Sequence, residues 1–250
     1  MSVFGKALAS LGVGSAKVDT RLSKSQFRQG DLVKGEVFVQ GGQVTQHIDE
    51  IYLYLIIQYV KDGKQKEYVM EKFRLAEPFD IGLSETKVIP FEFQLPFDTP
   101  VTTGGCPVYL KTGLDIKMAK DPKDVDGIEV LPHPLVEKTL QAIENIGFQL
   151  VRVDFDFEKY YSRHPFIQEF DFEPIGPFQG FLDKLKAVFY VGDGEIDLIM
   201  EVDRKAVDLM SSLEEALELD ARTIRLTVTE EMMKKGKLEN ELNRLIKEQI

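Results

Sequence analysis

Ile89-Pro90-Phe91-Glu92-Phe93-Gln94-Leu95-Pro96, followed shortly by Val108-Tyr109-Leu110-Lys111-Thr112-Gly113-Leu114-Asp115-Ile116, decides the fold. Phe91, Phe93 and Leu95 alternate with Glu92 and Gln94, the period of two that marks a half-buried strand. Pro96 and Pro100 have no amide to give a central ladder, so the chain must leave its sheet there. The spacing predicts that one β-sandwich closes at Phe91–Leu95 and that Val108 opens another. Residues 15–107 then form the first sandwich and 108–205 the second.

Upstream of this seam, Phe4, Ala7, Leu8 and Leu11 return to one side of a helix over residues 1–14. Alternation then takes over in Ala16–Leu22 and Leu32–Val39, with Gln29-Gly30-Asp31 as the intervening turn. Ile48 to Val60 is the strongest apolar run. Its tyrosines and β-branched residues favour a strand buried on much of both faces. Asp62-Gly63 supplies the positive φ of a hairpin turn into Lys66–Leu75, and Glu77 to Thr86 reads as loop.

Downstream, Asp121 to Glu129 reads as an irregular acidic stretch. Leu135, Thr139, Ala142, Ile143 and Ile146 recur at helical spacing and Gly147 follows as a stop. In Leu150–Glu158, Val151, Val153, Phe155 and Phe157 should face one way and Arg152, Asp154, Asp156 and Glu158 the other. Strands at Ile167–Glu173, Leu185–Tyr190 and Glu195–Asp203 follow, the last after the turn Gly192-Asp193-Gly194. Residues 206–250 form a helical C-terminal extension: Val207, Met210, Leu213 and Leu217 suit one helix, Ile224–Val228 is a short extended piece, and Glu230 to Ile250 is an amphipathic helix. So polar a helix frays alone; it either folds back or joins two copies of the chain.

The net charge of −11 argues against binding nucleic acid or anionic lipid through the bulk field, since both need a positive surface. No run approaches the roughly 18–20 apolar residues of a membrane span, and the first residues lack a signal-peptide core, so the expected location is the cytoplasm. The single cysteine, Cys106, lies in a Gly-Gly-Cys-Pro turn and is expected to be inert structure.

Two consecutive sandwiches carrying Gly30-Asp31-x-Val33-x-Gly35-x-Val37 and Phe91-x-Phe93-x-Leu95-Pro96 resemble the arrestin fold. In the first motif one glycine permits a tight turn and the second lets another strand approach. The segments Phe4-x-Lys6-Ala7-Leu8-Ala9-Ser10-Leu11, Leu110-Lys111-Thr112-Gly113-Leu114-Asp115-Ile116 and Asp121-Pro122-x-Asp124-x-Asp126 narrow the likeness. From about residue 2 to about 205 the chain resembles the bacterial SpoOM-type sporulation-control family. That resemblance implies a mainly β chain of two tandem arrestin-like β-sandwiches with short helices. It also implies a non-enzymatic regulator or adaptor working through a protein partner. The phosphate-sensing core of eukaryotic arrestins has no matching pattern of basic residues and does not transfer.

The sequence nominates no catalytic, cofactor-binding or metal-binding residue. Asp193, Glu195 and Asp197 resemble a Ca²⁺ loop but lack the closing Glu, which leaves a hairpin turn. Asp154, Asp156 and Glu158 lie about 7 Å apart at alternate strand positions and read as a solvated face. Asp121, Asp124, Asp126 and Glu129 read as an acidic loop. His47, His133 and His164 stand apart in sequence, without metal-ligand spacing, and no phosphate-loop or nucleophile-elbow motif occurs. A competing function, a Ca²⁺ sensor or metal-dependent enzyme, would have to be built on these carboxylates.

Overall fold

The structure, a computed structural model, describes residues 15–103, 105–116, 121–157, 163–205, 221–234 and 237–250. The chain is mainly β, with several sheets and few helices. It divides into two units, Met1–Leu131 and Pro132–Ile250. The helix expected over residues 1–14 and the one expected from Val207 to Leu217 lie outside the described residues.

The first unit is a sandwich. β1 (Lys17–Leu22), β3 (Leu32–Gln40) and β7 (Thr86–Gln94) form one sheet in the order β1-β3-β7. β2 (Gln26–Arg28), β9 (Lys123–Leu131), β8 (Val108–Ile116), β4 (Gln46–Lys61) and β5 (Lys64–Ala76) form the other, in the order β2-β9-β8-β4-β5. β6 (Phe79–Ile81), in a segment expected to be loop, pairs with the start of β4. Alternate residues fill the space between the sheets: Val33 and Val37 opposite Phe93 and Ile89, and Ile51, Leu53, Leu55 and Ile57 along β4. Phe73 of β5 stacks on Phe93 of β7 at 4.1 Å between ring centroids.

Two glycines act as their motif implies. Gly30 has φ +84° and carries the Phe97 ring directly against its Cα. The Asp31 carboxylate accepts the Arg28 amide at 3.0 Å and so closes the turn. At Gly35 a Cβ would lie 2.7 Å from the Arg21 carbonyl oxygen and from the Phe91 ring, so only glycine lets that ring lie flat over β3. The Asp62-Gly63 hairpin is also found, with φ of +54° and +68°.

The seam falls elsewhere than the sequence suggests. Val108–Ile116 opens no second domain: it pairs antiparallel with β4 on one side and β9 on the other, inside the first sandwich. The prolines do eject the chain from the sheet containing β7, but its destination is the opposite sheet of the same sandwich. β4 is the longest strand of the unit, and β8 supplies the neighbour its free edge requires. The acidic stretch after Asp121 is likewise strand β9, with Ile128 and Val130 in the core. The boundary between units therefore lies at residues 131/132, not 107/108.

The second unit opens with α1 (Pro134–Asn145), near the bounds its periodicity predicts. The His133 ring nitrogen Nδ1 accepts the Leu135 amide at 3.3 Å, Pro134 takes the first turn, and Gly147 leaves the helix at φ +108°. β10 (Phe148–Asp156), β11 (Ile167–Pro174), β12 (Leu182–Val191), β13 (Glu195–Arg204) and β14 (Ala221–Thr229) form an antiparallel sheet in chain order. Residues 221–229 are thus the fifth strand of a sheet rather than part of a helical extension. α2 (Glu230–Lys234) and α3 (Lys237–Lys247) follow.

Leu238, Leu242 and Ile246 of α3 are buried, and α3 packs on α1 and β14, so the last helix folds back on its own unit. Among the described residues this unit holds one five-stranded sheet with α1 and α3 packed on its strands. Phe172, Leu185, Met200 and Ile224 are buried on one face of the sheet, and the apolar stripes of α1 and α3 pack against β10, β13 and β14. In β10 a bulge between Leu150 and Arg152 breaks the predicted alternation: Val151 is left exposed, and Val153 returns to the side of Phe170.

Candidate functional site

The other face of the β10–β14 sheet is polar, and its charges are sorted by strand. β11 contributes Glu169 and Asp171, β12 Lys184 and Lys186, β13 Asp197, Glu201 and Asp203, and β14 Arg225. Cross-strand neighbours are therefore of opposite sign: Asp171 lies opposite Lys186, Lys186 opposite Glu201, and Lys184 opposite Asp203. Asp171 is only 2% exposed. Its Oδ2 accepts from Arg152 Nε at 3.0 Å and Nη2 at 2.9 Å, and pairs with Lys184 Nζ at 2.8 Å, tying three strands together. Its Oδ1 is buried without a hydrogen-bond partner.

A groove of about 100 Å³ crosses this face. Ile167, Val188 and Ile199 form its floor, and Glu169, Glu201 and Arg225 stand among its polar walls. A second groove, about 440 Å³, is lined by Tyr190, Asp197, Ile199 and Thr227 and runs onto β14. Aliphatic floors bordered by both signs of charge suit an extended peptide.

The residues singled out in the sequence are dispersed. Asp193 occupies the β12–β13 hairpin turn, closed by the Gly192 amide donating to the Glu195 carbonyl at 2.9 Å with Gly194 at φ +86°. Asp197 instead accepts the Thr227 hydroxyl at 2.7 Å. Asp154 pairs with Arg152 at 3.6 Å, and Glu158 lies outside the described residues. His47 contacts Asp80 at 2.7 Å across β4 and β6, His133 caps α1, and His164 stacks on Phe166. Among the described residues no group of three or more His, Cys, Asp or Glu side chains could hold a metal ion. Cys106 is buried, and burial pushes its thiol up to about 12.

The acids of β9 do something the sequence did not show. Asp124 and Asp126 point inward, on the side of Thr112 and Leu110. Asp124 Oδ2 accepts the Thr20 amide at 2.6 Å, capping the open edge of β1, and the Thr20 and Thr112 hydroxyls meet at 2.7 Å. This polar latch joins the two sheets. Beside it Asp126 Oδ2 is buried without a hydrogen-bond partner, and burial, then the charges of Asp124 and Asp19, raises its carboxyl to about 6. The signal was its period: Asp124, Asp126, Ile128 and Val130 share one side of a strand.

The sequence pattern of the SpoOM protein family matches residues 4–206. The chain belongs to the SpoOM protein family. This SpoOM-family chain is 40% identical over 232 residues to the sporulation-control protein spo0M of Bacillus subtilis (strain 168), covering 90% of each sequence. It also superposes on the crystal structure of Spo0M from Bacillus subtilis with a TM-score of 0.81, over 95% of this chain and 100% of that one, at 34% identity. No helix among the described residues is long and apolar enough to cross a membrane.

Proposed function

We propose that this chain is a cytoplasmic, non-enzymatic regulator that acts in sporulation control through contacts with a partner protein. The observation that carries this reading is the likeness to the Bacillus subtilis sporulation-control protein over nine-tenths of both sequences. The polar sheet face of the second unit supports it, because its grooves present aliphatic floors and charged walls to a partner. The dispersal of the carboxylates and histidines favours it over a metal-dependent sensor or enzyme. Self-association through α3 has less support, since that helix uses its apolar stripe inside its own unit.

Replacement tests the proposal. In a Bacillus subtilis strain lacking its own relative, this chain is expected to restore the normal frequency of spores, with a partner protein recovered on crosslinking. Failure to alter sporulation at normal expression, with turnover of a small molecule by the purified chain, would sink it.

A further inference from the structure

β4 and β5 run on past the sheet they help to build. The last pairing of β4 with β8 is Ile57 against Val108, and just beyond it the Gln58 amide donates to the Pro107 carbonyl at 2.9 Å. From Tyr59 onward β4 pairs only with β5 among the described residues, through Tyr59–Lys66, Val60–Gln65 and Lys61–Lys64, and the Asp62-Gly63 turn closes the ribbon. At about 3.3 Å per residue this finger projects roughly 10 Å beyond β8. Every residue from Val60 to Glu67 is exposed, Val60 by 62%. Opposed residues share a face of a strand pair, so Lys61, Lys64 and Lys66 gather on one side of the finger and Val60 stands on the other.

The fingertip is positive although the chain is not. Between Tyr59 and Lys66 three lysines accompany one acid, Asp62, in a chain of net charge −11. Lys64 and Lys66 form no ion pair among the described residues. Glu67, the next acid, is already occupied: it accepts the Tyr109 hydroxyl at 2.6 Å and lies 3.8 Å from Lys111. A projection of about one Debye length, roughly 8 Å at physiological salt, screens the tip from the acids of the body, so the bulk field does not decide what the tip meets. Shape decides the partner. A stable protein interface buries about 1,200 Å² or more, and the end of a two-stranded ribbon offers far less, whereas an anionic lipid surface rewards each lysine separately. A nucleic acid would use the lysines and leave Val60 in water. We propose that the β4–β5 hairpin is a peripheral membrane contact that enters end-on, with Lys61, Lys64 and Lys66 among anionic phospholipid headgroups and Val60 in the boundary between them. Asp62 opposes this contact and keeps it weak and reversible. Each lysine near such a surface contributes about fivefold in partitioning, so three of them against one aspartate give a preference for anionic lipid on the order of tenfold to a hundredfold.

The test is flotation of the full chain with vesicles of phosphatidylcholine alone or with about 30% phosphatidylglycerol, at low and at high salt. The chain should float with the anionic vesicles at least about tenfold better than with the neutral ones, and added salt should remove the difference. Lys64→Glu with Lys66→Glu reverses the sign of the tip and should abolish the preference, while Lys17→Glu with Lys138→Glu, the same charge change at exposed positions elsewhere, should leave it. Asp62→Asn, which tolerates the φ of +54° there, should strengthen binding about fivefold. The chain contains no tryptophan, so Val60→Trp places a lone fluorophore at the tip. Its emission should shift to the blue on anionic vesicles, whereas that of Leu83→Trp, at another exposed position, should not. No binding to anionic vesicles at low salt, equal binding to both compositions, equal loss in the two double variants, or an unshifted Val60→Trp would each overturn the proposal. So would tighter binding of the tip to polyglutamate or DNA than to the anionic vesicles. The contact is independent of the protein partner: a chain that restores sporulation control without floating defeats only the membrane contact, and one that floats without restoring it defeats only the role in sporulation.

Discussion

Substituting Asp126 by asparagine isolates the cost of placing a carboxylate beside the latch between the sheets. The Asp126 carboxyl titrates near 6 in the folded chain against an ordinary value of 3.8, because burial and the charges of Asp124 and Asp19 oppose its ionisation. The folded state therefore holds this proton more tightly than the unfolded chain. Below pH 4 both states are protonated and the site costs nothing. Between about pH 4 and 6 the unfolded chain ionises first and stability falls; above pH 6 the full penalty persists. Two units at about 1.4 kcal/mol each set a ceiling near 3 kcal/mol, and solvent screening of a half-buried side chain reduces it to about 1 kcal/mol. Asp126→Asn keeps the volume and removes the charge. It should therefore raise the stability of the first unit by about 1 kcal/mol at pH 7.5, equivalent to roughly 3–6 °C in Tm, and change little at pH 4. Urea and thermal melts followed by circular dichroism at pH 4, 5, 6 and 7.5 measure the difference. A variant less stable than the parent at pH 7.5, or a difference that does not vary with pH, would refute the assigned cause.

Three further outcomes follow from particular contacts. Leu242→Ala, at a fully buried position of α3, should cost about 2–5 kcal/mol in urea unfolding of the second unit while leaving the mass in light scattering unchanged. A change of oligomer without loss of stability would return α3 to the role of an assembly helix. Gly35→Ala places a methyl group against the Arg21 carbonyl and the Phe91 ring and should cost about 1–3 kcal/mol, read as a lower urea midpoint. Cys106 should resist a thiol reagent at pH 8 in the folded chain and react at once in denaturant; rapid modification of the native protein would contradict its burial.

Much of the local structure was legible. The alternation of Phe91, Phe93 and Leu95, the Asp62-Gly63 turn, the helix ending at Gly147 and the two roles of Gly30 and Gly35 were all readable. Each rests on the chain's own geometry over a few residues. Part of the candidate site was legible too, since Lys186, Asp197 and Glu201 fall on the outward phase of strands that could be recognised, whereas Lys184 lies before the start read for its strand. Their sorting into complementary rows was not, because it depends on which strand lies beside which. The bulge at Val151 was hidden for a related reason: a period of two cannot announce its own interruption when the inserted residue is also apolar.

The stretch from Ile89 to Ile116 shows where sequence ends and tertiary structure begins. By themselves its residues determine two strands, the faces those strands bury, and a proline-marked departure from one sheet before the next strand starts. Only the folded chain decides that Val108–Ile116 completes the sandwich already begun, because β4 and β9 are its hydrogen-bonding neighbours. Burial alternation is written along a strand, whereas the choice of neighbour is a competition among distant segments for the same edge. The same competition places β14 beside β13, its only strand partner among the described residues, which no reading of Ala221–Thr229 alone reveals.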